Sequence, residues 1–317
     1  MAKQEKNREK VDKNSKYLLY IAWVLGIVAI ILIAFSIGYY IGSKNQKPIE
    51  KQQKEQIKRV ETQLKEVLQK EQPKYISAAH ETEDEKLATT PSKIEKKKHL
   101  IYEHKPMLAI IIDDVQTARQ VKAIKSLHLP LTMSFLPPRH GRPNAAKLAA
   151  QQKFYMVHLP MEAMHFSAEE PNTLRITDSQ QKISKRIAFI KKEFPRVRYL
   201  NNHTGSKFTA NEQAVNRLIY ALHKNHILFI DSRTTAKTKV PQVEKAYGLK
   251  YVARDVFLDH HMDKAYVLKQ IKTAIKIAKL RGHAIAIGHP HKETLEALRE
   301  SKNLFKDVDL VQVNKIY

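Results

Sequence analysis

Acidic and histidine side chains follow short apolar runs at several points in the second two thirds of the sequence. Carboxylate and imidazole groups in combination suit hard and borderline divalent metals, and the same groups carry many of the proton transfers in enzymes. The sequence contains no cysteine, so thiolate zinc sites and cysteine nucleophiles are excluded. The residues that stand out are Asp113, Asp114, His158, His203, Asp231, Asp255, Asp259 and His289. If the fold brings them together, they indicate a metal site.

Each of these side chains also has a structural alternative. Polar residues at the start of a helix or turn can act as caps, and most histidines in proteins are hydrogen-bonded core or loop residues. The capping alternative applies to Asp113, Asp114, Asp231, Ser232 and His289, and the core alternative applies to His158 and His203. Four further histidines lie in charged helical surroundings and are interpreted as surface residues: His260, His261, His283 and His291.

Alternating strand and helix patterns must position these side chains. Strands are predicted at 107–112, 131–136, 154–159, 198–202, 227–231, 250–253, 284–288 and 309–313. Helices are predicted at 116–127, 143–152, 179–193, 211–224, 263–281 and 292–300. This order predicts an α/β fold of parallel strands, either a barrel or a doubly wound sheet, and we favour the barrel. Because the carboxyl ends of barrel strands converge on one mouth, the acidic and histidine side chains are expected to meet there.

At these positions the sequence resembles the divergent polysaccharide deacetylase family. The resemblance covers roughly residues 107–313 and is carried by IIIDD (110–114), HLPME (158–162), NNHTGS (201–206), FIDSRTT (229–235), DVFLD (255–259) and AIAIGHP (284–290). It implies an irregular (β/α) barrel of the glycoside hydrolase and deacetylase type. The implied activity is metal-dependent removal of N- or O-acetyl groups from a carbohydrate, with an acetylated glycan or cell-wall polymer as substrate.

The resemblance also implies a metal-binding set. Asp114, His158 and His203 would hold a divalent metal, expected to be zinc, while Asp113 would act as the general base. Typical members place two ligating histidines four residues apart, whereas this chain has Glu162 four residues after His158. Either Glu162 replaces the second histidine or His203 supplies it from the next strand.

The remaining roles implied by the resemblance concern the acid and the substrate. His289 resembles the general acid, and Asp231 is expected to orient a catalytic partner. The substrate contacts are expected to be Asn202, Ser206, Ser232 and Asp259. The main alternative is a catalytically inactive barrel that binds a glycan or an envelope protein. Other metal-dependent hydrolysis, including glycosidase-like action by two carboxylates, is a further hypothesis.

The amino-terminal part of the chain contains a long uncharged segment, at residues 17–42. As a helix it would span roughly 39 Å, more than the roughly 30 Å of a bilayer core, and aromatic residues lie toward both ends. A cleaved signal peptide is the alternative, but its apolar region is usually only about 7–15 residues long. The basic tail at 1–16 favours an amino terminus in the cytoplasm. We therefore expect a single-pass protein of the inner membrane whose main domain is periplasmic or otherwise extracytoplasmic.

Two polar segments separate this predicted anchor from the main domain. Residues 43–71 contain apolar side chains at spacings of three and four, at Ile57, Val60, Leu64 and Val67, which predicts a helical stalk that could self-associate as a short coiled coil. Residues 72–105 are predicted to be a disordered linker, and residues 106–317 to be the main domain.

The charge of the chain is strongly positive. The formal net charge is +24 and the isoelectric point is near 9.9. Such a chain is attracted to anionic surfaces in general, including lipid head groups, acidic glycans and nucleic acids. The lysines are scattered among helical segments and are not clustered with aromatic residues, so no specific nucleic-acid partner is predicted.

Overall fold

The computed structural model describes residues 23, 26–30, 32, 33, 36 and 104–317. The described residues between 23 and 36 are helical and their large apolar side chains are exposed. None of the helices described is both long enough and apolar enough to cross a membrane. The predicted tail 1–16, the stalk 43–71, most of the predicted span 17–42 and all but the last two residues of the linker 72–105 lie outside the described residues.

Residues 104–317 are built around eight strands, and every strand pairing among them is parallel. The strands are β1 (Met107–Val115), β2 (Thr132–Phe135), β3 (Met156–Met161), β4 (Tyr199–Thr204), β5 (Leu228–Ile230), β6 (Val256–Phe257), β7 (His283–Gly288) and β8 (Asp309–Val311). Seven of them follow the order β5-β4-β3-β2-β1-β7-β6, and β8 pairs with the beginning of β1. They form a parallel half-barrel flanked by helices, which confirms the predicted α/β class.

Helices connect most of the strands. They are α1 (Ala118–Ser126), α2 (Ala145–Ala150), α3 (Gln180–Glu193), α4 (Ser206–Thr209), α5 (Glu212–Lys224), α6 (Val240–Ala246), α7 (Lys264–Arg281) and α8 (Lys292–Glu300). Short 3-10 helices cover Ser301–Asp307 and Val313–Lys315. The six predicted helices agree with the structure to within a few residues, because most of them begin at a capping side chain such as Thr117, Ser179, Asn211 or Asp263. The helices α4, of four residues, and α6, of seven, were not predicted, and of the short helices only α2 was.

The predicted strand at 250–253 is wrong. Ala253 forms only an isolated bridge with Asp231, and the sixth strand of the sheet comes later, at Val256–Phe257. The pairing stops because the buried guanidinium of Arg254 donates to the carbonyl oxygens of Ser232 and Arg233 at 2.6 and 2.8 Å. The chain then crosses to β7, where the backbone N–H of Asp255 donates to the carbonyl of Ile285. This segment therefore links the β5 edge of the half-barrel to its β7 side.

Strands β1 to β7 are buried on both faces, whereas β8 is partly exposed. Inside the half-barrel, alternate residues of neighbouring strands form one apolar cluster, which includes Ala109 and Ile111 of β1, Met156 of β3, and Ile285 and Ile287 of β7. The residues between them, such as Leu108 and Ile110, are fully buried on the other face. This arrangement explains why β1 reads as an unbroken apolar run, as expected for parallel strands covered by helices.

Glu244 on α6 is a buried carboxyl group outside the mouth of the half-barrel. Both of its oxygens are buried and make no hydrogen bond within the described residues. Burial raises the pKa of Glu244 to about 8, and the charge of Asp231 adds to this effect. The group is therefore held uncharged in the folded protein at neutral pH, and its burial opposes folding as the pH rises.

Replacement of Glu244 by glutamine should stabilise the protein in a pH-dependent way. The unfolded chain releases this proton near pH 4.5 and the folded chain near pH 8, so the parent loses stability between these values by up to about 1.4 kcal/mol per pH unit. The free energy of unfolding of Glu244→Gln should exceed that of the parent by an amount that grows from pH 5 to pH 8. Denaturant unfolding of the full-length chain across this range measures the difference. Glu296→Gln, on a partly exposed site of α8, is the matched control, and a difference independent of pH for Glu244→Gln would contradict the prediction.

Candidate metal centre

The side chains at the mouth of the half-barrel continue the inward-facing positions of its strands. Residues two apart on a strand point to the same face, so the inward series Ala109, Ile111 leads to Asp113 on β1. The same alternation leads from Met156 to His158 on β3, and from Ile285 and Ile287 to His289 after β7. The apolar floor of the half-barrel therefore ends in a ring of ionisable groups.

Asp114 breaks this alternation and still reaches the same ring. The β1–β2 register shifts between Ile112 and Val115, so β1 has one extra residue opposite β2, and Asp114 has a φ of +55°. A bulge of this kind turns the extra residue away from its regular direction. As a result, the carboxylates of two consecutive residues, Asp113 and Asp114, both approach the ring of His158.

Asp114, His158 and His203 form one buried cluster. Nδ1 of His203 is 2.9 Å from Oδ1 of Asp114, and Nε2 of His158 is 3.5 Å from the same oxygen. The potential ligand atoms of the three residues all lie within 4.8 Å of one another. One carboxylate and two imidazoles at this spacing match the donor set of catalytic zinc sites, which use three protein ligands.

The protonation states of these groups also suit a metal. Burial lowers the pKa of His158 to about 3, so this imidazole is neutral. Burial alone would raise the pKa of Asp114, but the imidazoles of His203, His289 and His158 hold it well below its usual range. The carboxylate is therefore ionised, and a metal can be bound without removing a proton from either Asp114 or His158.

Asn201 on β4 organises the cluster. Its Oδ1 accepts a hydrogen bond from the Ser134 hydroxyl at 2.6 Å and lies 3.1 Å from Nδ1 of His158. Because this oxygen can only accept, Nδ1 of His158 carries the proton and Nε2 keeps its lone pair toward Asp114. The amide nitrogen of Asn201 lies 2.9 and 2.8 Å from the two oxygens of Asp113. The sequence pattern singled out Asn202 and missed Asn201, although the inward alternation with His203 points to Asn201.

Asp113 differs from its neighbour in its protonation. It does not belong to the three-residue cluster, and its Oδ2 is 3.6 Å from Nδ1 of His158. Burial raises the pKa of Asp113 to about 7, against the lowering effects of His289 and of the Asn201 hydrogen bond. A carboxylate with a pKa near neutrality is suited to accept a proton at physiological pH.

His289, which directly follows β7, lines the same pocket as Asp113 and is held by Asp259. Nδ1 of His289 is 3.0 Å from Oδ1 of Asp259, and the backbone N–H of His289 and the hydroxyl of Thr294 donate to Oδ2. Nε2 of His289 points toward the cluster, 3.9 Å from Oδ2 of Asp114. Burial alone would lower the pKa of His289, but Asp259, Asp114 and Asp113 raise it to about 9.

Asp259, expected as a substrate contact, is completely buried behind His289. Its hydrogen bonds fix the ring of His289 and do not face the pocket. His291 was interpreted as a surface residue, but it lies beside this pair: Asp259, His289 and His291 form a second set whose potential ligand atoms are within 4.8 Å of one another. The helix cap at this point is His291, without a side-chain capping bond, so His289 is not a cap.

Asp231 caps the turn that follows β5, which is the structural alternative given for it above. Its Oδ1 accepts from the backbone N–H of Arg233, and its Oδ2 accepts from the hydroxyls of Thr238 and Tyr251. No contact of Asp231 with the three-residue cluster is present in residues 104–317. It contacts Arg254, a residue of the mouth, since its backbone carbonyl accepts from the Arg254 N–H at 2.9 Å and its charge raises the pKa of Arg254. Arg254, which sequence patterns did not reveal, lines the pocket and packs over the Phe257 ring at 4.9 Å.

The other predicted site residues divide into two groups. Asn202 and Ser232 line the pocket, and the Asn202 side chain accepts a hydrogen bond from the Ser232 backbone. Glu162 and Ser206 lie away from it. The carboxylate of Glu162 accepts from the Ile176 backbone at 2.9 Å and from Lys207 at 2.8 Å, and the hydroxyl of Ser206 accepts from the Met164 backbone. The geometry therefore favours His203 over Glu162 as the third ligand.

The pocket itself is small. It has a volume of about 30 Å³, which is sufficient for a water molecule, and its walls include Asp113, His158, Arg254, Phe257 and His289. Thr204, which lines the pocket, has a φ of +54°, and Asp114 and Arg233, each next in sequence to a lining residue, also have positive φ. A β-branched residue such as Thr204 rarely adopts this conformation, so the backbone here is held in place by the fold.

Comparisons with known proteins agree with these motifs. Residues 110–317 match the family model described as divergent polysaccharide deacetylase. An uncharacterized protein of Haemophilus influenzae is 31% identical over 213 residues, which are 66% of this chain and 76% of that protein. The uncharacterized protein YibQ of Escherichia coli is 33% identical over 215 residues, 66% of each chain. The crystal structure of the uncharacterized protein ATU2773 from Agrobacterium tumefaciens C58 shares the fold, with a TM-score of 0.58, 19% identity, and coverage of 68% of this chain and 90% of that one. This chain belongs to the divergent polysaccharide deacetylase family, and its carboxyl-terminal part is a deacetylase-like domain.

Proposed function

We propose that this protein is a zinc-dependent carbohydrate deacetylase that hydrolyses N- or O-acetyl groups of an acetylated glycan or cell-wall polymer. The observation that carries the proposal is the buried Asp–His–His cluster flanked by two titratable groups whose pKa values are displaced from their usual ranges, about 7 for Asp113 and about 9 for His289. Two neighbouring titratable groups whose pKa values are shifted in this way are typical of the general base and general acid of an active site. Membership of the deacetylase family supports the same chemistry.

Asp114, His158 and His203 are the residues that would hold the metal. The donor set is chemically suitable, because the carboxylate is ionised, His158 is neutral, and Asn201 fixes the orientation of His158. When bound, a zinc ion polarises an acyl carbonyl and lowers the pKa of a coordinated water. Glu162 is occupied by Lys207 and the Ile176 backbone and is not included in the proposed set.

Asp113 is proposed as the general base. Its carboxylate is buried beside the cluster, and the amide of Asn201 fixes its direction. With a pKa of about 7, a large fraction of Asp113 is ionised at neutral pH and can take the proton from the attacking water. The water oxygen then bonds to the acetyl carbon.

His289 is proposed as the general acid. A pKa of about 9 keeps its ring protonated at neutral pH, and the hydrogen bond to Asp259 leaves Nε2 free to point into the pocket. Proton donation from Nε2 to the departing nitrogen or oxygen allows the bond between the acetyl carbon and the sugar to break. The products are acetate and a free amine or hydroxyl.

Metal binding should depend on the three proposed ligands and not on the base. Asp114→Asn and His203→Ala should lose zinc, because each removes one of three protein ligands. Asp113→Asn and Glu162→Gln should keep it. Asparagine is chosen at position 114 because it tolerates the positive φ. Elemental analysis of dialysed full-length protein gives the zinc content, and retention of zinc in His203→Ala with its loss in Glu162→Gln would move the site to Glu162.

Turnover should require Asp113, although metal binding should not. Asp113→Asn should reduce acetate release from N-acetylated oligosaccharides by roughly 10²- to 10⁴-fold, because the base is lost while zinc stays bound. Glu162→Gln serves as the matched carboxylate control and should retain turnover. Acetate release is measured on the zinc-loaded full-length chain. A zinc-loaded parent that releases no acetate from any acetylated glycan would favour the inactive glycan-binding barrel.

We also propose that residues 17–42 anchor the chain in the inner membrane, with the amino terminus in the cytoplasm and the main domain outside it. The length and lack of charge of this segment and the basic residues before it support the proposal. Residues 43–71 would act as a spacer between the membrane and the domain, with the capacity to self-associate.

The membrane topology can be measured with reporters fused after Tyr317. A reporter that is active only outside the cytoplasm should be active in this fusion, and one that is active only in the cytoplasm should not be. The same fusions made to a chain lacking residues 17–42 provide the control, since the export signal is then removed. Cytoplasmic activity of the full-length fusion would overturn both the localisation and the proposed cell-wall substrate.

A further inference from the structure

A second, larger cavity lies between α3 and the loop at 162–178 that precedes this helix. Its volume is about 510 Å³, within the range of roughly 300 to 1,000 Å³ that is usual for ligand pockets. The residues that matter for its chemistry are Glu170, Arg175, Asp178, Lys185, Arg186 and Phe189. None of them lines the small pocket at the metal centre.

The acidic side chains of this cavity are already compensated. Glu170 accepts two hydrogen bonds from the buried guanidinium of Arg142, one of them at 3.0 Å. Asp178 pairs with Lys182 and accepts from the backbone N–H of Arg175 at 2.9 Å. These carboxylates therefore add little negative potential to the cavity.

Two cations of the cavity are not compensated in this way. Lys185 and Arg186 have no carboxylate partner within 4.0 Å among residues 104–317. The Arg186 guanidinium packs over the Phe189 ring at 5.5 Å, and its buried Nε has no hydrogen-bond acceptor within the same residues. The Phe189 side chain is itself 43% exposed. The wall formed by α3 thus offers a guanidinium donor beside an open aromatic face.

The loop of this cavity also borders the metal centre. The Leu174 backbone N–H donates to the Pro160 carbonyl at 2.9 Å, and the Glu162 N–H donates to the Leu174 carbonyl at 2.8 Å, so the loop is fixed to the end of β3. On its other side, the Phe166 ring lies edge-on to His203, with the ring centres 6.4 Å apart. The loop therefore contacts the metal centre at Phe166 and lines the cavity with residues between 170 and 178.

We propose that this cavity is a subsite for an acidic sugar unit of the glycan, whose carboxylate is bound by Arg186 and Lys185 and whose ring packs against Phe189. A planar guanidinium is well suited to a carboxylate, and an exposed aromatic face supplies apolar contact area. The inference rests on the proposed function, because it assigns to the substrate of the metal centre an acidic unit in addition to the acetylated one.

Binding of acidic and neutral oligosaccharides tests the subsite without any need for turnover. Calorimetry on the full-length chain would compare a hyaluronan hexasaccharide, which alternates glucuronate with N-acetylglucosamine, with neutral chitohexaose. The acidic ligand should bind about tenfold more tightly than the neutral one. Arg186→Ala should remove this preference and leave the affinity for chitohexaose and the zinc content unchanged. Lys192→Ala, an exposed basic residue of the same helix outside the cavity, is the charge-matched control and should keep the preference.

Each outcome has a defined meaning. Equal affinity of the parent for both ligands, or the same loss in Arg186→Ala and Lys192→Ala, would overturn the subsite. If inorganic phosphate displaces the acidic ligand as effectively as free hexasaccharide does, the sugar subsite is overturned and the cavity is a simple anion site. Phe189→Ala, at an exposed position, provides a second variant if Arg186→Ala folds poorly, and it should weaken binding of the acidic ligand. If the protein prefers the acidic ligand but releases no acetate, the deacetylase proposal is refuted and the subsite is not.

Discussion

The bulge in β1 is the constraint on which the mouth of the half-barrel depends. In a regular strand, consecutive side chains point to opposite faces, so only one of Asp113 and Asp114 could face the interior. The register shift before Val115 and the positive φ of Asp114 bring both carboxylates to His158. Without this extra residue, the site would have either a proposed metal ligand or a proposed base, but not both.

Electrostatics then separates the roles of chemically identical groups. Asp113 and Asp114 are adjacent and equally buried, yet the pKa of one rises to about 7 and that of the other falls well below its usual range. The difference follows from their partners, because Asp114 is surrounded by three imidazoles whereas Asp113 is held by a neutral amide. His158 and His289 diverge in the same manner: the first is paired with Asn201 and is neutral, and the second is paired with Asp259 and is protonated.

Local patterns in the sequence were sufficient for six of the eight α-helices in residues 104–317, for most strands and for the family, since capping residues and apolar runs are local signals. They were insufficient where a contact joins distant segments. Asn201 binds Asp113 across 88 positions and Asp259 binds His289 across 30, so the supporting role of each depends on the tertiary fold. The predicted strand at 250–253 failed for the same reason, because the hydrogen bonds of Arg254 to the loop after β5 interrupt its pairing. The choice between Glu162 and His203 likewise needed the positions of Lys207 and Ile176.

The order of strands along the chain means that the residues of the site are synthesised in two stages. The Asp–His–His cluster comes from β1, β3 and β4, which emerge from the ribosome before residue 205, and β1 to β4 are consecutive neighbours in the sheet. The Asp259–His289 pair arrives only with the segments around β6 and β7. The proposed metal ligands are therefore synthesised before the proposed acid, and their strands can pair along the sheet while the segments of the proposed acid are still untranslated.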